Sequence, residues 1–90
     1  MKLLTKDNKV IDYGSGKGRI AFALNQIIGC EVIGVEFSEK LYQMALDNLK
    51  AYGEDKGVSF VNEDAINFDP TMTGADTFYF FNPFGLPTFK

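Results

Sequence analysis

Val10-Ile11-Asp12-Tyr13-Gly14-Ser15-Gly16-Lys17-Gly18-Arg19 decides how this chain reads. An apolar run ends at a carboxylate, and glycines at alternate positions then open an amphipathic stretch. Glycine accepts positive φ and has no Cβ, so Gly14, Gly16 and Gly18 permit a tight turn that brings backbone N–H groups close to a ligand. In a strand–loop–helix unit such a loop lies at the carboxyl end of the first strand, where open α/β sheets bind nucleotides. Spacing narrows the choice. A dinucleotide-binding fingerprint places its third glycine one residue later, where this chain has Arg19.

Outward from the loop, strands and helices alternate. Lys9 to Asp12 is the first predicted strand, and Ile20, Ala23, Leu24, Ile27 and Ile28 fall on one face of a helix expected over Gly18 to Ile28. Gly29 ends it, and Glu31 to Val35 forms a second strand finishing at Glu36. Ser38 is a good N-cap for a helix over Ser38 to Tyr52, whose buried stripe is Leu41, Ala45, Leu49 and Tyr52. Gly53 sits where a terminating glycine belongs. A third strand follows at Val58 to Val61, then an irregular stretch from Asn67 to Gly74, then a fourth strand at Asp76 to Phe81. Such alternation with right-handed crossovers predicts a three-layer α/β fold with a parallel sheet and helices on both faces.

Composition excludes several functions. Ninety residues make one small domain, and a net charge of −3 gives no general attraction for nucleic-acid phosphates. No histidine and a single cysteine, Cys30, argue against a metal site and against any hydrolase built on a histidine base. Cys30 has no partner for an internal disulfide, which fits a reducing, cytoplasmic setting. No apolar run reaches membrane-spanning length, so no membrane association is expected.

Asp12-x-Gly14-x-Gly16-x-Gly18 resembles the first motif of class I S-adenosylmethionine-dependent methyltransferases, which share a Rossmann-like sheet. The resemblance runs from about Lys9 to Phe84. It implies a sheet truncated to about four strands in the order 3-2-1-4, and S-adenosyl-L-methionine as cofactor. Asp12 then meets the ligand's ammonium, and Gly14, Ser15, Gly16 and Gly18 form the loop beneath it. Glu36, ending the second strand, accepts hydrogen bonds from both ribose hydroxyls; an acid there also serves NAD folds and marks an adenosine ligand in general. Phe37 either packs on the adenine or covers the helix start. After the third strand, Asp64 and the backbone of Ala65 would read the adenine edge, with Glu63 as the competing acid on the opposite side. At the fourth strand's end, Asn82-Pro83-Phe84 matches in part the Asn-Pro-Pro-aromatic stretch with which amino methyltransferases hold a target amine. Phe84 replaces the second proline and Gly85 the aromatic residue, which loosens the lean towards a nitrogen acceptor.

Methyl transfer from a sulfonium is an in-line displacement with a good leaving group in place, so alignment matters more than acid–base chemistry. The expectation is therefore a methyltransferase domain, partial within residues 1–90, that holds the cofactor half and lacks the substrate half. Alone it is expected to bind without appreciable turnover. The alternative is a non-catalytic S-adenosylmethionine-binding fragment or interaction module; NAD-dependent redox chemistry is disfavoured by Arg19. The methyl acceptor, whether protein, nucleic acid or small molecule, is left open. Phe78 to Phe81, apolar and without a fifth strand beside it, predicts self-association through the fourth strand.

Overall fold

The structure is a computed structural model and describes residues 4–64 and 66–80. Four strands, β1 (Lys9–Tyr13), β2 (Glu31–Glu36), β3 (Val58–Asn62) and β4 (Thr77–Phe80), form one sheet in the order β3-β2-β1-β4, all parallel. The expected order is therefore observed. Strand ends differ from the sequence reading by a residue; Phe81, assigned to the fourth strand, lies outside the described residues.

Helices α1 (Arg19–Ile28) and α2 (Glu39–Tyr52) form the two crossovers that carry the chain from β1 to β2 and on to β3. Their ends follow from local chemistry. Ser38 Oγ accepts the Leu41 amide at 3.3 Å, which caps one of the orphan donors of α2. Gly29 takes the left-handed conformation at φ 88° and donates its amide to the Asn25 carbonyl at 2.9 Å, closing α1. In α2, Glu39 in the first turn and Lys50 in the last complement the helix dipole.

Alternation along the strands gives two faces. Val10, Val32, Val58 and Phe60 form one core with Ala21, Ala45 and Leu49 from the helices. Ile11, Tyr13 and Val35 point the other way and pack with Ile33, Phe68 and Ala75. Among the described residues both α-helices thus share one face, whereas helices were expected on both. Phe68 and Ala75 of the β3–β4 crossover pack on the opposite face, and among its described residues the crossover has one 3-10 turn, Pro70–Met72, as its helical feature. Asp69 caps it, accepting from the Thr71 amide at 3.0 Å. Local Asx and Pro turns of this kind compete with helix formation.

A second correction concerns α1. Its inward residues are Ala21 and Asn25, with Phe22, Leu24 and Ile28 partly buried, while Ala23 is exposed and Ile27 is 81% exposed. The apolar spacing selected a face turned too far round because the buried stripe contains a polar residue. Asn25 Nδ2 donates to the carbonyls of Cys30 and Lys56, each at 2.8 Å, and its Oδ1 accepts from the Tyr52 hydroxyl at 2.5 Å. A buried amide with its partners in place is tolerated in a core.

Phe60 sets the spacing between the layers. A Cβ on Gly18 would lie 2.6 Å from its ring, and one on Gly34 2.5 Å. Both glycines are there to admit that ring.

Candidate cofactor-binding site

The carboxyl end of β1, the glycine loop and the first turns of α1 and α2 border a cavity of about 520 Å³, lined by Asp12, Gly14, Ser15, Gly16, Lys17, Arg19, Ile20 and Leu41. That volume falls in the range of small-molecule and cofactor sites. β1 delivers Asp12 to its floor, and the glycine loop turns above it. Gly14 and Gly16 have φ of 72° and 59°, and a Cβ on either would meet no atom within 4 Å. The loop therefore leaves open space where side chains would otherwise stand.

Its amides are less free than the motif suggested. Gly14 and Ser15 donate to the Val35 carbonyl at 2.8 and 3.2 Å, Gly18 donates to Ser15 at 2.9 Å, and Gly16 donates to Glu36 Oε1 at 2.7 Å. The loop contributes a fixed shape and room, since these N–H groups are already committed. Asn48 of α2 adds a further tie, donating to the Lys17 carbonyl at 3.1 Å.

The two strand-end acids differ sharply. Glu36 is buried and satisfied: Oε1 takes the Gly16 amide and Oε2 takes the Ser38 amide at 2.9 Å. Asp12 is 1% exposed, and neither of its carboxylate oxygens has a hydrogen-bond partner among the described residues. Burial, reinforced by the charge of Glu36, pushes the Asp12 carboxyl up to about 7. The Ser15 hydroxyl is likewise buried without a partner. A buried carboxylate left unpaired is costly, and here it lines a cavity.

Other residues singled out from sequence are placed as follows. Gly18 is buried against Phe22 and Phe60, so the structure shows a packing reason for it. Phe37 is 73% exposed at the end of β2 and covers nothing in the core. Asp64 is half-buried beyond β3, and its Oδ1 accepts the Ile66 amide at 3.0 Å in a local turn. Glu63 is exposed and accepts the Asp64 amide at 3.1 Å. Ala65, Asn82, Pro83 and Phe84 lie outside the described residues. Sequence reasoning missed Lys17, Arg19, Ile20 and Leu41 as cavity walls, and Asn62, whose amide reaches β2. Lys17 lies within the glycine loop and Arg19 and Ile20 follow it directly, which was a usable signal; Leu41 is brought in only by the fold.

Comparison with known proteins agrees with this geometry. A family model described as "Methyltransferase domain" matches residues 4–83. The chain belongs to the methyltransferase domain family. The resemblance to class I S-adenosylmethionine-dependent methyltransferases is thereby borne out, and that family's cofactor is S-adenosyl-L-methionine. A carboxy-S-adenosyl-L-methionine synthase from Shewanella denitrificans is 32% identical over 71 residues, covering 76% of this chain and 29% of that protein. An RNA methyltransferase from Salinibacter ruber, solved with S-adenosyl-L-homocysteine, superposes with a TM-score of 0.75 at 26% identity, covering 84% of this chain and 48% of the other. A protein-L-isoaspartate O-methyltransferase gives a TM-score of 0.75 at 26% identity, covering 86% of this chain and 25% of the other. This methyltransferase domain thus spans less than half the length of each of these relatives. Among its described residues no helix is long and apolar enough to cross a membrane.

Proposed function

We propose that this chain is the cofactor-binding part of an S-adenosylmethionine-dependent methyltransferase, taking its ligand across the ends of β1, β2 and β3. The observation that carries the reading is Asp12, a buried carboxylate on the floor of a cavity with neither oxygen partnered among the described residues. A cationic group supplies what that carboxylate lacks. A pyrophosphate would meet the opposite situation, an acid below and loop amides already committed to Val35, Ser15 and Glu36.

The roles of the remaining residues follow. Asp12 takes the ammonium end of the ligand. Gly14 and Gly16 leave room for it, Ser15 offers a hydroxyl, and Gly18 holds the loop down on the core. Glu36 keeps acceptor capacity for ribose hydroxyls, because each carboxylate oxygen has two lone pairs and Gly16 and Ser38 use one apiece. Phe37 offers an exposed ring face to the adenine, with Asp64 and Ala65 at the adenine edge. When bound, S-adenosylmethionine supplies a sulfonium methyl, so transfer demands alignment. Asn82, Pro83 and Phe84 would hold the acceptor, and their partial match to the amino-methyltransferase pattern favours a nitrogen nucleophile. The relatives named above are described as acting on different substrates, so they do not choose the acceptor. A reducing, cytoplasmic setting belongs to the same reading, supported by Cys30 standing buried as a free thiol.

Calorimetric titration with S-adenosylhomocysteine tests the proposal. The parent chain is expected to bind, and Gly16→Asn, a residue that tolerates the left-handed φ of 59° found there, to abolish binding while the circular dichroism of the fold is retained. A folded parent chain with no heat of binding at millimolar ligand would refute it. Within the same reading β4, at the sheet edge among the described residues, supports self-association of the chain. Sedimentation that stays monomeric at high concentration would remove that part alone.

A further inference from the structure

Asn62 is the last residue of β3, paired in register with Glu36. Its side chain is exposed, yet both of its hydrogen bonds are spent on the neighbouring strand's end. Nδ2 donates to the Glu36 carbonyl at 2.9 Å and to the Phe37 carbonyl at 3.1 Å. The Glu63 amide also donates to the Glu36 carbonyl, at 3.1 Å. At this point β2 leaves the sheet and turns into the Ser38 cap of α2. Without these donors, the two carbonyls would be free to rotate with the backbone of 36 and 37. With them, the peptide planes on both sides of Phe37 are pinned to β3. The Glu36 carboxylate is held at its other end by Gly16 and Ser38. Asn62, which shares the Glu36 carbonyl with the Glu63 amide and adds the Phe37 carbonyl, therefore helps to fix the main chain from which a bidentate acid and an exposed aromatic ring project.

We infer that Asn62 is a positioning residue for the adenosine end of the cofactor site, acting through the backbone of Glu36 and Phe37 and not through ligand contact. The inference rests on the cofactor reading above. It assigns to a surface amide the task of keeping Glu36 aligned with two hydroxyls at once, the demand that bidentate recognition makes and that a loosely held carboxylate fails. An exposed asparagine at a strand end would otherwise be expected to tolerate replacement with little effect.

The test compares the parent chain with Asn62→Ala and with the isosteric Asn62→Asp, which keeps the volume and removes both donors. Two readouts are taken. Amide hydrogen exchange by NMR reports the Glu36 clamp directly: exchange at Gly16 and Ser38 should speed up at least threefold in both variants, with the thermal midpoint nearly unchanged. Calorimetry with S-adenosylhomocysteine and its 2′-deoxyribose analogue reports the ribose: both variants should lose about tenfold in affinity for the ribose form and much less for the deoxy form. In a Glu36→Gln background, Asn62→Ala should add nothing further to that loss. Equal loss for both ligands, or unchanged exchange at Gly16 and Ser38, would overturn the inference and leave Asn62 as a fold-stabilising residue. A parent chain that binds neither ligand would refute the cofactor reading, whereas the exchange measurement would still decide whether Asn62 positions Glu36.

Discussion

β1 and β2 each carry a buried acid at the carboxyl end, Asp12 on the cavity floor and Glu36 tied to the glycine loop, yet the two acids stand in opposite conditions. Glu36 is completed by protein, through the amides of Gly16 and Ser38. Asp12 is completed by nothing among the described residues. The difference separates two jobs that a strand-end carboxylate can do. Glu36 is a structural tie that also has acceptor capacity to spare, so its site exists before a ligand arrives. Asp12 is an unpaired buried charge that weakens the free protein, and in the proposed reading a cationic ligand completes it.

The largest expected effect comes from erasing that contrast at Asp12. Burial raises its carboxyl from 3.8 in a solvated chain to about 7, so between those values the folded protein holds a proton that the unfolded chain has lost. Stability should therefore fall as pH rises from about 4 to about 7 and level off above that. Asp12→Asn removes the ionisation, and at pH 8 it should stabilise the ligand-free chain by up to ~4 kcal/mol in urea melts. The same substitution should abolish cofactor binding. Stabilisation together with unimpaired binding would show that Asp12 does not face the ligand.

Glu36→Ala should act with the same sign on both properties. Removing a charged acceptor from two backbone donors is expected to lower stability by about 2–3 kcal/mol and to weaken S-adenosylhomocysteine binding by about 1.5–3 kcal/mol. Unchanged binding in a calorimeter would displace the ribose from this residue. Next in size is the pH dependence of binding itself. An ammonium favours the ionised form of Asp12, so binding below about 7 must release a proton. Affinity should rise about tenfold per pH unit from 5 to 7, a slope of ~1.4 kcal/mol per unit, then flatten. A flat profile across that range would contradict the pairing. The smallest effect belongs to Ser15, whose hydroxyl also lacks a partner. Ser15→Ala should change the thermal stability of the free chain by less than about 1 kcal/mol, because no hydrogen bond is lost.

How much of this was legible beforehand differs by element. Helix ends and the caps at Ser38, Gly29 and Gly53 could be read because each rests on local chemistry, whereas the strand order came only with the family resemblance of the glycine motif. The α1 face could not, since apolar spacing has no means of detecting Asn25, which is buried by virtue of its partners at Cys30, Lys56 and Tyr52. The irregular stretch after β3 was visible, but not that Phe68 and Ala75 would close the second face of the sheet without a helix. The positions of Asp12 and Glu36 were legible in the sequence; their contrasting states were not. Hydrogen bonding from Gly16 and Ser38 is a property of the folded loop, and spacing alone is the same for a satisfied acid and an unsatisfied one.

The Phe60 ring occupies the volume that Gly18 and Gly34 leave open. Three positions far apart in the chain are thereby joined into a single unit of variation. A side chain at Gly34 would meet both the ring and the Ser15 hydroxyl, Gly18 is held besides by φ 91° and by Phe22, and shrinking the aromatic alone opens a void beneath the loop. Single substitutions at these positions are therefore disfavoured in both directions, and at Gly18 the backbone itself keeps the glycine whatever becomes of the ring. For an engineer the same fact is an address: the seat of the glycine loop on the core rests on one ring that packs beneath Gly18.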